Sequence, residues 1–529
     1  MLACGSDGES SDHANDGTDD ASALGEQSDG TIVFGALGSA SSPSGRDSFT
    51  FGVASAAAQI EDQNVATDWY TWSLPVDEGG RGESEFVGEA VQGFTRAIDD
   101  VQLVQQTELD AYRFSVSWSR VEPGRDQVDA TAVAHYSDLL DTLVAADIAP
   151  MITVFHFSNP LWTNDFRTPC PDDGPTDEDL CGWSHPQGAQ MIIAELAEHA
   201  ALLAREYGDR VDEWCTLNEP VNYLVASYGI GYFPPGASLL LTDFDRLIET
   251  FRNFMRAHVA VYEAIKANDT IDADGDGVAA SVGLTLSIAD WVPSRGNAPS
   301  EDPDDIAAAQ RVRYLYHEVV PRALLDGRFD PGLDGDAEEP QPAWAGTLDW
   351  MGIQYYFRAG VTAEVGVVLP LDLTFCFPPY DFGSCLPPED ETFYVEEMGY
   401  EFYAPGWYNV MIELHEIFPT LPLTVTEGGI ATEVGARRAE NIVRTLEQIQ
   451  RAKDAGVDVR GYYHWTLMDN YEWAEGWGPK FGLFSVDRAT FERTPTDGQR
   501  VLADIARTRT LTAEQREQFG GDGPMTPEQ

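Results

Sequence analysis

Two glutamates stand where their type and setting could do chemistry. Glu219 follows the run Thr216-Leu217-Asn218, and Glu427 closes Thr424-Val425-Thr426 before Gly428-Gly429-Ile430. Each ends a short apolar run of β type, so strands of one barrel would carry both carboxyls to the same rim. Two carboxyls facing across a pocket are what glycoside hydrolysis needs. One protonates the leaving oxygen, and the other attacks or activates water. A lone glutamate at a strand end is ordinarily polar surface; two, each in an unusual motif, point to a site.

The elements that would position them are readable from periodicity. Candidate strands are Phe49–Ser55, Ala111–Val116, Pro150–Phe155, Glu213–Leu217, Ser281–Ser287, Trp350–Tyr355, Leu423–Thr426 and Val459–Trp465. Between them lie stripes at helical spacing, such as Val133, Tyr136, Leu139, Leu140, Leu143 and Val144, or Ile192, Leu196, Ala200 and Leu203. Parallel strands need crossovers, and eight strands with intervening helices fit a single (β/α)8 TIM barrel with long loops at its C-terminal face. A chain of 529 residues suits one barrel with insertions.

Composition narrows the function classes. Lys and Arg total 32 against 89 Asp and Glu, a formal charge of −57, which repels nucleic acid and anionic membrane surfaces. Such a surface suits high or fluctuating salt, where screening relieves self-repulsion. No uninterrupted apolar run of about 18 residues is present to span a bilayer. Met1-Leu2-Ala3-Cys4-Gly5-Ser6 looks like the end of a bacterial lipoprotein signal whose charged and apolar segments are missing, so Cys4 is the expected membrane tether. Residues 1–47 read as this lipoprotein-like start and a flexible acidic Ser/Gly/Asp tether, 48–508 as the barrel, and 509–529 as a polar tail that frays. Cys170 and Cys181, and Cys376 and Cys385, bracket polar loops and read as local disulfides. Disulfides persist outside a reducing cytosol, so an extracytoplasmic location follows. Cys215, in an apolar run, reads as a buried free thiol.

With these residues in place, the chain resembles the retaining β-glycosidases of glycoside hydrolase family 1, from about Phe51 to Asp487. The signatures Thr-Leu-Asn-Glu-Pro and Thr-Glu-Asn-Gly are matched at 216–220 and, with Gly428 for the Asn, at 426–429. Phe51-Gly52-Val53-Ala54-Ser55 leading to Gln59 and Glu61 is similar to the family's first-strand motif, and Arg113-Phe114-Ser115-Val116-Ser117-Trp118-Ser119-Arg120 to its second. His156-Phe157-Ser158-Asn159-Pro160 resembles His-Trp-Asp-Leu-Pro, and Gly352-Ile353-Gln354-Tyr355-Tyr356 resembles Gly-Ile-Asn-Tyr-Tyr. Trp465 to Trp473 resembles the eighth-strand motif.

The resemblance implies roles. Glu219 becomes the acid/base and Glu427 the nucleophile, with Tyr356 donating to Glu427 and Arg113 keeping it ionised. Asn218 would contact the sugar 2-hydroxyl, Gln59, His156, Glu472 and Trp473 would grip the other hydroxyls, and Trp465 would form the stacking floor. Three departures stand out. Gly428 follows the nucleophile, Gln354 is one methylene longer than the usual Asn, and Ser158 stands where an Asp is usual. The implied activity is exo-hydrolysis of unphosphorylated β-D-glucosides, with galactosides and fucosides next, on small glycosides or oligosaccharides and without cofactor or metal. Asp272-Ala273-Asp274-Gly275-Asp276-Gly277 alternates like a calcium loop, but its twelfth position is Gly283 and not a bidentate Glu, so it reads as a surface turn. The alternative is a non-catalytic carbohydrate-binding module on the same barrel, which need not keep the glutamate pair. A thioglycosidase could dispense with the acid, and Glu219 argues against it.

Overall fold

The structure is a computed structural model that describes residues 24–82, 84–366, 371–376 and 381–528. Eight parallel strands form the barrel: β1 (Thr50–Ser55), β2 (Ala111–Ser115), β3 (Ala149–Phe155), β4 (Glu213–Asn218), β5 (Ser281–Arg295), β6 (Trp350–Thr362), β7 (Leu423–Glu427) and β8 (Val459–Trp465). Each pairs with the next, β8 pairs with β1, and β5 pairs with β6, so the sheet has no free edge within the ring. The registers set the site. Asn218 at the end of β4 lies opposite Thr285 of β5, and Gln354 of β6 lies opposite Glu427 of β7.

Amphipathic helices fill the crossovers. They include α1 (Ala97–Gln106), α2 (Ala130–Ala145), α3 (Pro186–Tyr207), α4 (Pro220–Leu224), α5 (Phe244–Asn268) and α6 (Gly435–Asp454). Tyr136, Leu139, Leu140 and Leu143 of α2, and Ile192, Leu196, Ala200 and Leu203 of α3, are buried as their spacing predicts, whereas Val144, at the end of the α2 stripe, is exposed. Asp129 caps α2 by accepting from the Thr131 and Ala132 N–H groups.

All eight expected strands form, but β5 and β6 run further than the apolar pattern. After a one-residue register shift between Tyr355 and Arg358 they stay paired to Val361 and Pro293, raising a parallel wall above the barrel mouth. The apolar pattern breaks at Asp290 and Arg358, which the wall accommodates by pairing them. Asn409 donates to Asp290 at 2.9 Å, and Arg358 makes a two-pronged contact with Glu401 at 2.8 and 3.1 Å. Both disulfides are formed, and Cys215 is buried and free. Residues 377–380 of the second disulfide loop lie outside the described residues, as do Cys4 and the tether up to residue 23.

The two ends differ from the expectation of flexible flanks. Residues 24–47 are packed against the barrel. Gly25–Glu26 and Ile32–Val33 join Thr510–Leu511 in a three-stranded antiparallel sheet, with Ile32 and Leu511 buried. Phe34, Phe49 and Phe51 cluster with ring centroids 4.8–5.2 Å apart. Arg509 reaches Asp110 at 2.6 Å and also the Gly35 and Phe49 carbonyls. Beyond it, Ala513–Phe519 forms a helix closed by a Thr512/Gln515 capping box, and Met525 is buried. Arg444 of α6 donates to the Gly523 carbonyl at 2.7 Å, and Thr432 donates to Glu528 at 2.7–2.8 Å. Composition measures what a segment can bury by itself, whereas these segments bury a few apolar groups against the barrel and against each other. Among the described residues no helix is long and apolar enough to cross a membrane.

Candidate active site

The two glutamates lie at the C-terminal ends of β4 and β7, almost equally buried at 6 % and 5 % exposure. Glu219 leaves its strand in the left-handed region, with φ at 41°, and begins α4. That turn swings its side chain out of the strand while its N–H still donates to the Thr285 carbonyl at 2.9 Å. Pro220 at the first helical position has no N–H that would need a partner there. Glu427 instead remains the last residue of its strand, just past a register shift against β6, and Gly428 after it has a steric reason. A Cβ at position 428 would sit 2.8 Å from the Trp407 ring.

Glu427 is gripped on both oxygens. Arg113 of β2, wholly buried, donates to Oε1 at 2.6 Å, and the Tyr356 hydroxyl donates to Oε2 at 2.9 Å. The other arm of Arg113 donates to Asn218 Oδ1 at 2.6 Å. That oxygen also accepts from Thr285 Oγ1 and Gln354 Nε2, each at 2.9 Å. Three donors fix which end of the Asn218 amide is oxygen and leave Nδ2 as its donor to a bound ligand. The extra methylene of Gln354 is thus spent reaching Asn218, and Gln354 Oε1 has no protein partner.

Burial raises the proton affinity of both carboxyls, and their surroundings then separate them. Glu219 is pushed up to about 8, first by desolvation and then by the charge of Glu427. Burial also raises Glu427, but the Arg113 charge, its hydrogen bond and the Tyr356 hydroxyl all oppose it. The pair therefore loses its first proton at Glu427 and keeps the second on Glu219.

The remaining expected residues converge on the same rim. His156 follows β3 with its ring stacked between Trp465 at 6.0 Å and Trp473 at 5.9 Å, both at 28°. Desolvation, then Arg113, holds it well below the ordinary histidine value, so it is neutral, and its Nδ1 has no protein partner. Gln59 Nε2 donates to the Tyr471 carbonyl at 2.7 Å and to Glu472 at 3.4 Å, while its buried Oε1 has no protein partner. Glu472 is pushed far above the ordinary carboxyl range by burial, then by Glu475 and Glu427. Trp473 rests on Trp69 and Phe157, with centroids at 5.0 and 5.3 Å. Buried polar atoms without partners carry a cost unless something else bonds them. Gln59 Oε1, His156 Nδ1, Gln354 Oε1 and Asn470 Nδ2 are such atoms beside two tryptophan faces, a combination that suits a polyhydroxylated ring.

The Ser158 departure is absorbed by its neighbour. Asn159 donates to Asp68 at 2.9 Å and to the Tyr223 hydroxyl at 2.8 Å, and accepts from Trp183 at 3.0 Å, which pins the loop that carries His156. Sequence reasoning missed Asn222, which donates to Glu219 Oε2 at 2.8 Å, and Asn470. Asn222 could have been found from its place three residues past Glu219, one helical turn along. Outside the site, Asp272 and Asp274 meet Asp212, and the turn satisfies its carboxylates with its own backbone N–H groups from Ala273, Gly275, Asp276 and Gly277.

The family model described as Glycosyl hydrolase family 1 matches residues 43–511. A beta-galactosidase of Pyrococcus woesei is 27% identical over 502 residues, covering 85% of this chain and 94% of its own. A coniferin beta-glucosidase of Pinus contorta is 29% identical, covering 83% and 87%. Among solved structures, a beta-glycosidase from Pyrococcus horikoshii superposes with a TM-score of 0.73 at 28% identity, covering 90% of this chain and 98% of that one. A family 1 b-glucosidase from Thermotoga maritima in complex with isofagomine lactam shares the fold, with a TM-score of 0.72 at 23% identity and coverage of 88% and 99%.

Proposed function

The chain belongs to glycosyl hydrolase family 1, and within this family of retaining β-glycosidases we propose that it cleaves terminal, unphosphorylated β-D-glucosides, with β-galactosides next. The observation that carries the assignment of roles is the asymmetry between the two carboxyls. Glu427, held by Arg113 and Tyr356, is the nucleophile, and Glu219, which keeps its proton to about 8, is the acid. Glu219 transfers its proton to the glycosidic oxygen as the C1–O bond breaks, and a carboxylate oxygen of Glu427 bonds to C1 from the opposite face. Water then attacks C1, gives its proton to Glu219 and releases Glu427, so the anomeric configuration is retained. Asn218 Nδ2 donates to the 2-hydroxyl, a bond that strengthens as charge develops at C1.

Glu472 supports the choice of glycone. Bonded to Gln59, it stands where a 6-phosphate would need a cation, and the burial and the Glu475 and Glu427 charges that keep Glu472 protonated oppose an added dianion there in the same way. The same carboxyl accepting from O4 and O6 tolerates an axial O4, and the P. woesei relative is named a beta-galactosidase. Rates on nitrophenyl β-glucoside, β-galactoside and β-glucoside 6-phosphate test the reading, with proton NMR of the first-formed sugar. Faster cleavage of the phosphorylated substrate, or first release of the α-anomer, overturns it.

Export and a lipid anchor at Cys4 complete the proposal. The two disulfides support export, and Met1–Ser6 supports the anchor. The net charge of −57 supports tolerance of salt. Labelling of Cys4 by a fatty-acid probe in a bacterial host, and melting temperatures that hold or rise with added sodium chloride, are the expected results.

A further inference from the structure

We propose that Asn222 is a positioning residue for the acid/base carboxyl: its amide N–H occupies Glu219 Oε2, which leaves Oε1 to carry the proton and meet the leaving group. The inference rests on the acid/base reading of Glu219 given above. Its geometry is local. Glu219 begins α4 with a left-handed backbone, which places Asn222 one turn along the same helix, and Nδ2 donates to Oε2 at 2.8 Å. An oxygen that accepts an amide N–H is a poor seat for a proton, because the two hydrogens would face each other. The proton is thereby directed to Oε1. The helix is short and continues at once into a π-helical turn, Val225–Gly229, a feature that recurs at functional sites.

The bond also changes in value during the reaction. As the proton passes from Oε1 to the glycosidic oxygen, the C1–O electron pair stays with the leaving group and Glu219 is left as a carboxylate. A hydrogen bond to a carboxylate is worth more than one to the neutral acid, so Asn222 favours the charge that appears in the transition state. No arginine or lysine touches Glu219 among the described residues; the groups facing it are Glu427 and Arg113 across the barrel, the Ser287 hydroxyl from β5, and the phenols of Tyr316 and Tyr356. Glu427 opposes ionisation of Glu219, while Arg113, Ser287 and Asn222 favour it. Of these, Asn222 alone sits on the same helix as the acid.

Asn222→Leu, close in volume, and Asn222→Ala, smaller, both remove the donor, so one reports if the other packs poorly. Without it Glu219 holds its proton more tightly, so the alkaline limb of kcat/KM moves up by about one pH unit. Alkyl β-glucosides, which need the proton, lose about tenfold, while dinitrophenyl glycosides lose far less. Asn222→Gln retains a donor and brings the limb back toward the parent. The same series is run beside Glu219→Gln. If Glu219→Gln cripples alkyl glucosides yet both donorless variants leave the limb in place, the role of Asn222 is overturned and the acid/base reading stands. If Glu219→Gln leaves alkyl glucosides untouched, the acid/base reading falls and this inference with it. A merely structural part for Asn222 would lower both substrate classes equally and leave the limb unmoved.

Discussion

The β4 end and the β7 end of the barrel present the same side chain at nearly the same burial and make opposite use of it. At β7, Glu427 has a guanidinium on one oxygen and a phenol on the other. At β4, Glu219 has an amide on one oxygen and the field of Glu427 against it. Burial alone would hold protons on both. What separates them is which neighbour supplies the countercharge, so the proposed acid and nucleophile would be defined by β2 and β6 as much as by the strands that bear the glutamates.

The comparison breaks most completely at Glu427. Glu427→Ala is expected to lower kcat by at least about 10⁴-fold, since the group that bonds to C1 is gone. Azide should then enter the vacated space and release an α-glycosyl azide, detected by NMR, whereas no azide product of that configuration comes from the parent. A variant that keeps parental rates places the nucleophile elsewhere. Glu219→Gln comes next, with a loss of about 10²–10⁴ on alkyl glucosides and near-parental formation of the glycosyl-enzyme from dinitrophenyl glycosides. Equal losses on both leaving groups would remove the distinction between the two ends.

The two glutamates were legible as a pair because they lie in contiguous strings, while which is acid and which nucleophile came only from the resemblance. Thr216–Pro220 and Thr424–Ile430 each hold the strand, the turn and the acid within a few residues, so local pattern carries the chemistry. Arg113, His156 and Tyr356 were named through the motifs of the resemblance, Arg113 within its β-type run and His156 and Tyr356 just after theirs. What did not show is whatever depends on partners far apart in the chain. Nothing local tells that Ile32 will pair with Leu511, that tail carbonyls will satisfy Arg444, or that Gln354 will spend its extra length on Asn218. The extension of β5 and β6 was hidden because Asp290 and Arg358 look like strand terminators until Asn409 and Glu401 are brought to them.

Arg113→Met sharpens the comparison by making the β7 end resemble the β4 end. Glu427 loses its countercharge, its proton affinity rises, and the acid limb of kcat/KM moves to higher pH, with roughly a 10²-fold loss of rate at neutral pH. An acid limb that stays put would mean that Arg113 does not set the ionisation of Glu427. Tyr356→Phe removes only the second donor, the 2.9 Å bond to Oε2. A hydrogen bond to a charged group contributes about 1.5–3 kcal/mol, so a loss of roughly 10- to 100-fold is expected, with the acid limb displaced less than by Arg113→Met.

The smallest effect is one of stability, and its sign differs between the two ends. In the unfolded chain Glu219 ionises near 4.5, while in the fold it holds its proton to about 8. Across that window the folded state binds the extra proton, so this group's contribution to stability is present below about 4.5 and is lost as pH rises toward 8. Glu219→Gln removes the titration and should therefore leave stability nearly unchanged at pH 5 and raise it at pH 8, by about 4 kcal/mol or roughly 4 °C in Tm for a chain of this size. Glu427→Gln removes the countercharge of a buried arginine instead, and should lower Tm at both pH values, since leaving a buried charge unpaired costs about 3–5 kcal/mol. Thermal melts of the parent and the two amide variants at pH 5 and 8 measure this directly. If both substitutions shift Tm in the same direction at pH 8, the two ends do not differ in the way their neighbours imply, because an amide in place of an acid relieves strain only where the acid had no cation beside it.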